Sequence, residues 1–174
     1  MTGEHLNAQA RRVVAGLDAD GKSTIISDEN TTARVAAPTF TVMNLWQVDQ
    51  LPVHVDDEDG LGQVTLMPPM GSLIYRIASF PPDSEWDSAD YQKSLSALES
   101  GDSHDTDSEI AGLHQTDSID LITMLSGELY AVLETTETLL RPGDTFVQRG
   151  GKHSWSNRGN IPATYVACTI PAKR

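Results

Sequence analysis

Between residues 113 and 171 the chain repeats one pattern: a short β-forming run, then a turn built on Gly, Pro or small polar residues. The runs are 119–125, 128–134, 137–140, 145–148, 154–157 and 163–170. The connections are Ser126-Gly127, Thr135-Thr136, Arg141-Pro142-Gly143-Asp144, Arg149-Gly150-Gly151 and Arg158-Gly159-Asn160. Strands this short cannot bury an apolar face alone. Their regular punctuation predicts an all-β sandwich or barrel.

The N-terminal half carries further strands and little helix. Residues 12–16 and 23–26 flank Asp18-Ala19-Asp20-Gly21, a hairpin around a Gly-containing turn. Residues 39–47 are β-rich. A strand enclosed by proline pairs follows at 68–82, with Leu73, Tyr75, Ile77 and Ser79 on one face and Ser72, Ile74, Arg76 and Ala78 on the other. At most one of Tyr75 and Arg76 then points into a barrel. Residues 88–99 are the one good helix candidate, because Tyr91, Leu95 and Leu98 form a single apolar stripe. The polar stretch 101–109 reads as a solvated, mobile linker. The expected division is an N-terminal β extension over 1–67 and a barrel over 68–174, with residues 83–110 as an insertion.

At 174 residues the chain suits one domain with one core. The net charge of −13 disfavours nucleic acid, and no basic cluster offsets it. No run approaches the ~20 apolar residues of a membrane helix. Met1-Thr2-Gly3-Glu4-His5 does not resemble a secretory leader, so a cytoplasmic location is expected. Cys168 is the only cysteine and lies in a strand, where an inert packed thiol is expected. His5, His54 and His104 stand in polar segments and read as solvated.

The chemistry-bearing residues are His114, Asp120 and His153. His114 and Asp120 reach a common ion only if the chain turns between them, and Gln115-Thr116-Asp117-Ser118 is good turn sequence. Asp120 then shares a strand face with Ile122 and Met124, which is costly for a carboxylate unless it is paired or ligated. His153 follows Gly150-Gly151-Lys152 and shares parity with Trp155 and Asn157. Two imidazoles and a carboxylate can hold one divalent metal, and that set is the one found in non-haem Fe(II) oxygenases. Zn, Mn or Ni would also suit. A metal-free hydrogen-bonded cluster, with Asp120 and a histidine as acid and base, is the alternative. Thr116 is placed to hydrogen-bond a water or a substrate oxygen. Arg76 could anchor a carboxylate if inward, while Tyr75, Trp155 and Asn157 complete the candidate substrate contacts. Trp46 is a further candidate pocket wall.

These residues resemble the two motifs of the cupin family, G-x5-H-x-H-x3,4-E-x6-G and P-G-x5-P-x-G-x2-H-x3-N. His114 and Gly127 match the first, with Asp120 in the Glu position. Pro142, Gly143, Gly150, His153 and Asn157 match the second. Ser108 stands in place of the leading Gly, Thr116 in place of the second His, and Gln148 in place of the second Pro. The resemblance implies a double-stranded β-helix (jelly-roll) barrel with an N-terminal β extension and one short helix. It also implies pairing as a homodimer through N-terminal strands. The expected function is a metal-dependent enzyme of lyase or isomerase type acting on a small oxygenated or carboxylated molecule. A non-haem Fe(II) dioxygenase and a non-catalytic ligand-binding module are the alternatives.

Overall fold

The computed structural model describes residues 2–98 and 108–174. The strands are β1 (Arg11–Leu17), β2 (Ser23–Asn30), β3 (Arg34–Ala37), β4 (Phe40–Val48), β5 (Leu73–Phe80), β6 (Ser118–Ser126), β7 (Leu129–Leu133), β8 (Glu137–Leu140), β9 (Thr145–Arg149), β10 (His153–Ser156) and β11 (Ala163–Pro171). The helix α1 covers Ser88–Ala97, close to the expected span. Asp87 caps it through a reciprocal capping box with Asp90, which satisfies amide groups the first turn leaves open. The acidic linker expected at 101–109 lies mostly outside the described residues, as does His104.

Two antiparallel sheets face one another. The larger has the order β3-β4-β5-β11-β6-β9, and the smaller β10-β7-β8. Between them, Trp155 on β10 packs against Phe80 on β5, Phe146 on β9 and Tyr165 on β11. One apolar cluster, around Met124, Leu129, Ala131 and Leu140, fills one part of the sandwich. A second, around Phe40, Val42, Ala78 and Leu98, lies where the helix segment covers the sheet. This is the expected jelly-roll barrel. The β1–β2 hairpin forms a separate two-stranded sheet, tied to the body through Arg12, which pairs with Asp59 and lies over Trp46.

The strand face alternation places the interior. On β6, Ser118, Ile122 and Met124 are buried while Leu121 and Leu125 are exposed. On β5, Ile74, Arg76 and Ala78 are buried and Tyr75 is exposed. His5, expected in solvent, is buried instead. Its Nε2 lies 3.0 Å from the Ala37 carbonyl, because the N-terminal turn Glu4–Asn7 folds back on β3 and β4. No helix of the described residues is long and apolar enough to cross a membrane.

Two of the turns depend on glycine for different reasons. Gly127 has φ +70°, and a Cβ there would lie 2.7 Å from Ala163 Cα and 2.8 Å from the Pro162 carbonyl. Gly143 has φ +92° but opens on empty space. Gly143→Ala is expected to cost about 1–2 kcal/mol, the left-handed penalty alone. Gly127→Ala adds a backbone clash and should cost about 3 kcal/mol or more. Urea unfolding of the two variants checks this; equal losses would show that the Ala163 contact gives way freely.

Candidate functional site

His114 and His153 are brought together by an isolated antiparallel bridge. Each amide N–H donates to the other's carbonyl at 2.9 Å. Their ring centroids lie 4.3 Å apart, with the planes at 51°. Both histidines follow a Gly-x step, Gly112-Leu113 and Gly151-Lys152, and each Nδ1 lies 3.0 Å from the carbonyl of its own glycine. Each Nδ1 also has a potential donor beside it: Tyr91 Oη at 3.1 Å for His114 and Gln148 Nε2 at 2.9 Å for His153. A carbonyl can only accept, so Nδ1–H donates to it in one tautomer. In the other tautomer Nδ1 accepts from Tyr91 or Gln148. The neighbours of each ring therefore accommodate a proton on either nitrogen.

Asp120 takes part in a different set of contacts. Ser118 Oγ lies 2.9 Å from both Asp120 Oδ2 and Thr116 Oγ1. The carboxylate only accepts, so Ser118 donates to Asp120 and accepts from Thr116. Thr116, expected beside a reacting oxygen, is thus a buried link in a hydroxyl chain that ends on the carboxylate. Among the described residues no three His, Cys, Asp or Glu side chains gather to hold a metal ion. The imidazoles converge, but the donor set does not fit the expected shell of His114, Asp120 and His153.

Arg76 is the least expected feature. An exterior position is the ordinary one for such a residue, yet it is only 5% exposed, inside the barrel. Its Nη1 donates to the carbonyls of Thr65 at 3.0 Å and Leu66 at 3.3 Å. Among the described residues, its Nε and Nη2 are buried with no hydrogen-bond partner. Burial pulls the guanidinium down to about 10, against the opposing influence of Tyr165 and Asp120, so it stays charged at neutral pH. Nε–H and Nη2–H share one edge of the guanidinium plane and point the same way, the fork that meets a carboxylate through two bonds.

The other expected substrate contacts fall out differently. Tyr75 is on the outer face of β5, as the parity argument requires once Arg76 is inward. Asn157 is buried, but its Nδ2 donates to the Phe80 and Ile161 carbonyls and its Oδ1 accepts from Gly159 N–H. It closes the β10–β11 turn through these three bonds. Trp155 lines the interior, whereas Trp46 is on the outside with Arg12. Cys168 is half-buried on the outer face, and burial raises its thiol pKa. Ser118, Tyr91 and Gln148 complete the site without having been expected there as functional residues. Ser118 had a signal, its position two residues before Asp120 on the same strand face.

Burial lowers the His153 pKa below 6.5, partly offset by the hydrogen bond to Gly151. A histidine harder to protonate folded than unfolded contributes stability that is complete above pH 6.5 and lost as the pH falls below it. The melting temperature should therefore drop more steeply between pH 6.5 and 5 in wild type than in His153→Gln. Parallel pH profiles would show that the imidazole titrates as if exposed.

No family model matches the chain. Two proteins of Diaporthe leptostromiformis, phomopsin biosynthesis cluster proteins C' and D, are each 45% identical over 63 residues, 35% of this chain. The matched segment spans 33% of the length of those relatives. Among solved structures, a putative ethanolamine utilization protein Q of Salmonella typhimurium superposes with TM-score 0.45 at 10% identity, over 95% of this chain and 99% of that one. The Cnp3 cupin domain of Schizosaccharomyces pombe gives 0.46 at 9% identity, over 94% and 89%. The Clostridium difficile EutQ protein gives 0.45 at 12%, over 92% and 88%. Its two facing antiparallel sheets form a jelly-roll barrel, and His114 and His153 are bridged through their backbones at the edge of the small sheet.

Proposed function

We propose that this cupin-fold chain is an enzyme of lyase or isomerase type that moves a proton on a small carboxylated molecule inside the barrel. The observation carrying this reading is the free edge of Arg76. A buried cation with one edge unpaired among the described residues costs several kcal/mol, and a bound carboxylate lowers that cost. A carboxylate held there borders the same polar chamber as Asp120 and His153. With its Nδ1–H on Gly151, His153 offers a neutral Nε2 to accept a proton from the carbon beside the carboxylate. A proton delivered to a neighbouring atom of the substrate completes an isomerisation; delivered to a hydroxyl, it releases water. Asp120, within the hydroxyl chain of Ser118 and Thr116, is the second proton-handling group. A binding module would use the same Arg76 edge without turnover.

The test is hydrogen–deuterium exchange, followed by NMR, on a panel of small 2-hydroxy and 3-oxo carboxylates. Wild type should exchange the proton next to the carboxylate, and His153→Gln or Asp120→Asn should lose about 100-fold or more. Arg76→Met should raise KM while melting no lower than wild type, since it removes an unpaired buried charge. Binding without exchange anywhere in the panel would favour the binding module. Stoichiometric metal by elemental analysis, lost in both His114→Ala and His153→Ala, would replace direct proton transfer with metal-assisted chemistry.

Pairing of two copies belongs to the same reading. Trp46, Tyr75, Cys168, Leu121 and Val147 are register neighbours in one row across five strands of the large sheet's outer face. Tyr75, Leu121 and Val147 are exposed, as are Val13, Leu17, Ile25 and Ile26 on the β1–β2 hairpin. A face of five strands, each about eight residues long, covers roughly 500 Å² before side-chain relief. With the hairpin laid over the partner it approaches the ~800 Å² per subunit of a standard interface. Light scattering should give a dimer for wild type and a monomer for Leu121→Glu. A monomeric wild type would overturn the pairing.

A further inference from the structure

The interior space is divided in two. A polar chamber of about 60 Å³ is walled by Thr116, Ser118, Asp120 and His153. A second chamber of about 80 Å³ lies under α1, among Phe40, Phe80, Trp86, Leu95 and Leu98. Leu66, Arg76, His114, Trp155 and Tyr165 border both. Arg76 therefore borders both a polar space and a largely apolar one. Packing alone gives no reason for either feature: an unfilled apolar space forfeits contacts, and an unpaired guanidinium edge costs more.

We infer that the ligand is an amphipathic monocarboxylate, its carboxylate on Arg76, its flat or branched apolar tail in the chamber under α1, and its reacting atoms facing His153 and Asp120. The inference rests on the carboxylate reading above and adds the tail. Space for one water-sized group is about 10–15 Å³, so the apolar chamber takes about six heavy atoms, a phenyl ring or a branched chain. The polar chamber takes roughly five, enough for a carboxylate and one or two oxygenated carbons. Aromatic walls at Phe40, Phe80 and Trp86 suit such a tail by area and by ring stacking.

Calorimetric titration of the whole chain with acetate, 4-methylpentanoate, phenylacetate and phenylacetamide tests this. Each buried carbon should strengthen binding about threefold to fourfold. Phenylacetate and 4-methylpentanoate are thus expected to bind at least about 30-fold more tightly than acetate. Phenylacetamide should lose most of that affinity because it carries no charge for Arg76. The three tryptophans of the chain locate the tail. Trp86 borders the apolar chamber, Trp155 borders both, and Trp46 is outside. With phenylacetate, the indole N–H signals of Trp86 and Trp155 should shift and that of Trp46 should stay. Equal affinity for acetate and phenylacetate, or an unmoved Trp86, would overturn the tail site and leave the carboxylate reading standing. Phenylacetamide binding as well as phenylacetate, or no binding by any carboxylate, would overturn both.

Discussion

The barrel depends on its last strand. β11 pairs with β5 along one edge, from Ala163 opposite Phe80 to Thr169 opposite Ile74, and with β6 along the other, from Thr164 opposite Ser126 to Pro171 opposite Ser118. It thereby joins the N-terminal strands to the C-terminal ones in a single sheet. Because side chains alternate with a period of two, the register of β11 decides what faces inward on both neighbours. Tyr165, Ala167 and Thr169 line the polar chamber on the same side as Arg76 of β5 and Asp120 of β6. A shift of β11 by one residue would turn Tyr165, Ala167 and Thr169 out of the chamber together. The site is consequently a property of strand register before it is a property of any one residue.

The second organising contact is the histidine bridge. His114 stands in the segment that leads from α1 into β6, and His153 opens β10 of the small sheet. Their mutual backbone hydrogen bonds fasten that segment to the small sheet, and each ring is oriented by the carbonyl two residues earlier. Tyr91 links the helix to the same centre through His114. One set of contacts thus orients the imidazoles, seats α1 over the apolar chamber and joins the two sheets around the interior. This coupling of closure to chemistry explains how polar groups can be buried here in numbers: nearly all are satisfied by backbone or by one another. Among the described residues, Thr39 and Arg76 border the chambers with buried side-chain atoms that have no partner.

Much of the architecture was legible in the chain. The six C-terminal strands fall within a residue or two of their expected spans, because each is bounded by Gly, Pro or small polar residues that cannot continue a strand. The stripe of Tyr91, Leu95 and Leu98 marked α1, and all three are buried. The inward position of Asp120 followed from its company of Ile122 and Met124. Local pattern carried less information where two residues competed for one role. Parity required Tyr75 and Arg76 to face opposite ways but did not say which was inside, and the ordinary preference of arginine for the surface pointed the wrong way. His5 looked solvated because its neighbours are polar, although distant strands bury it.

Sequence alone therefore determined most of the elements, their order, the turns of the C-terminal half and the identity of the two histidines, since these rest on local sterics and on hydrophobic period. Tertiary structure decided which polar groups meet. It bridged His114 to His153 at the edge of the small sheet and set the Asp120 carboxylate against Ser118. It also committed Asn157 to a turn and left one edge of Arg76 unpaired among the described residues. The physical reason is range: propensity and periodicity act over a few residues, whereas hydrogen-bond satisfaction in a buried space depends on groups as far apart in the chain as Arg76 and His153.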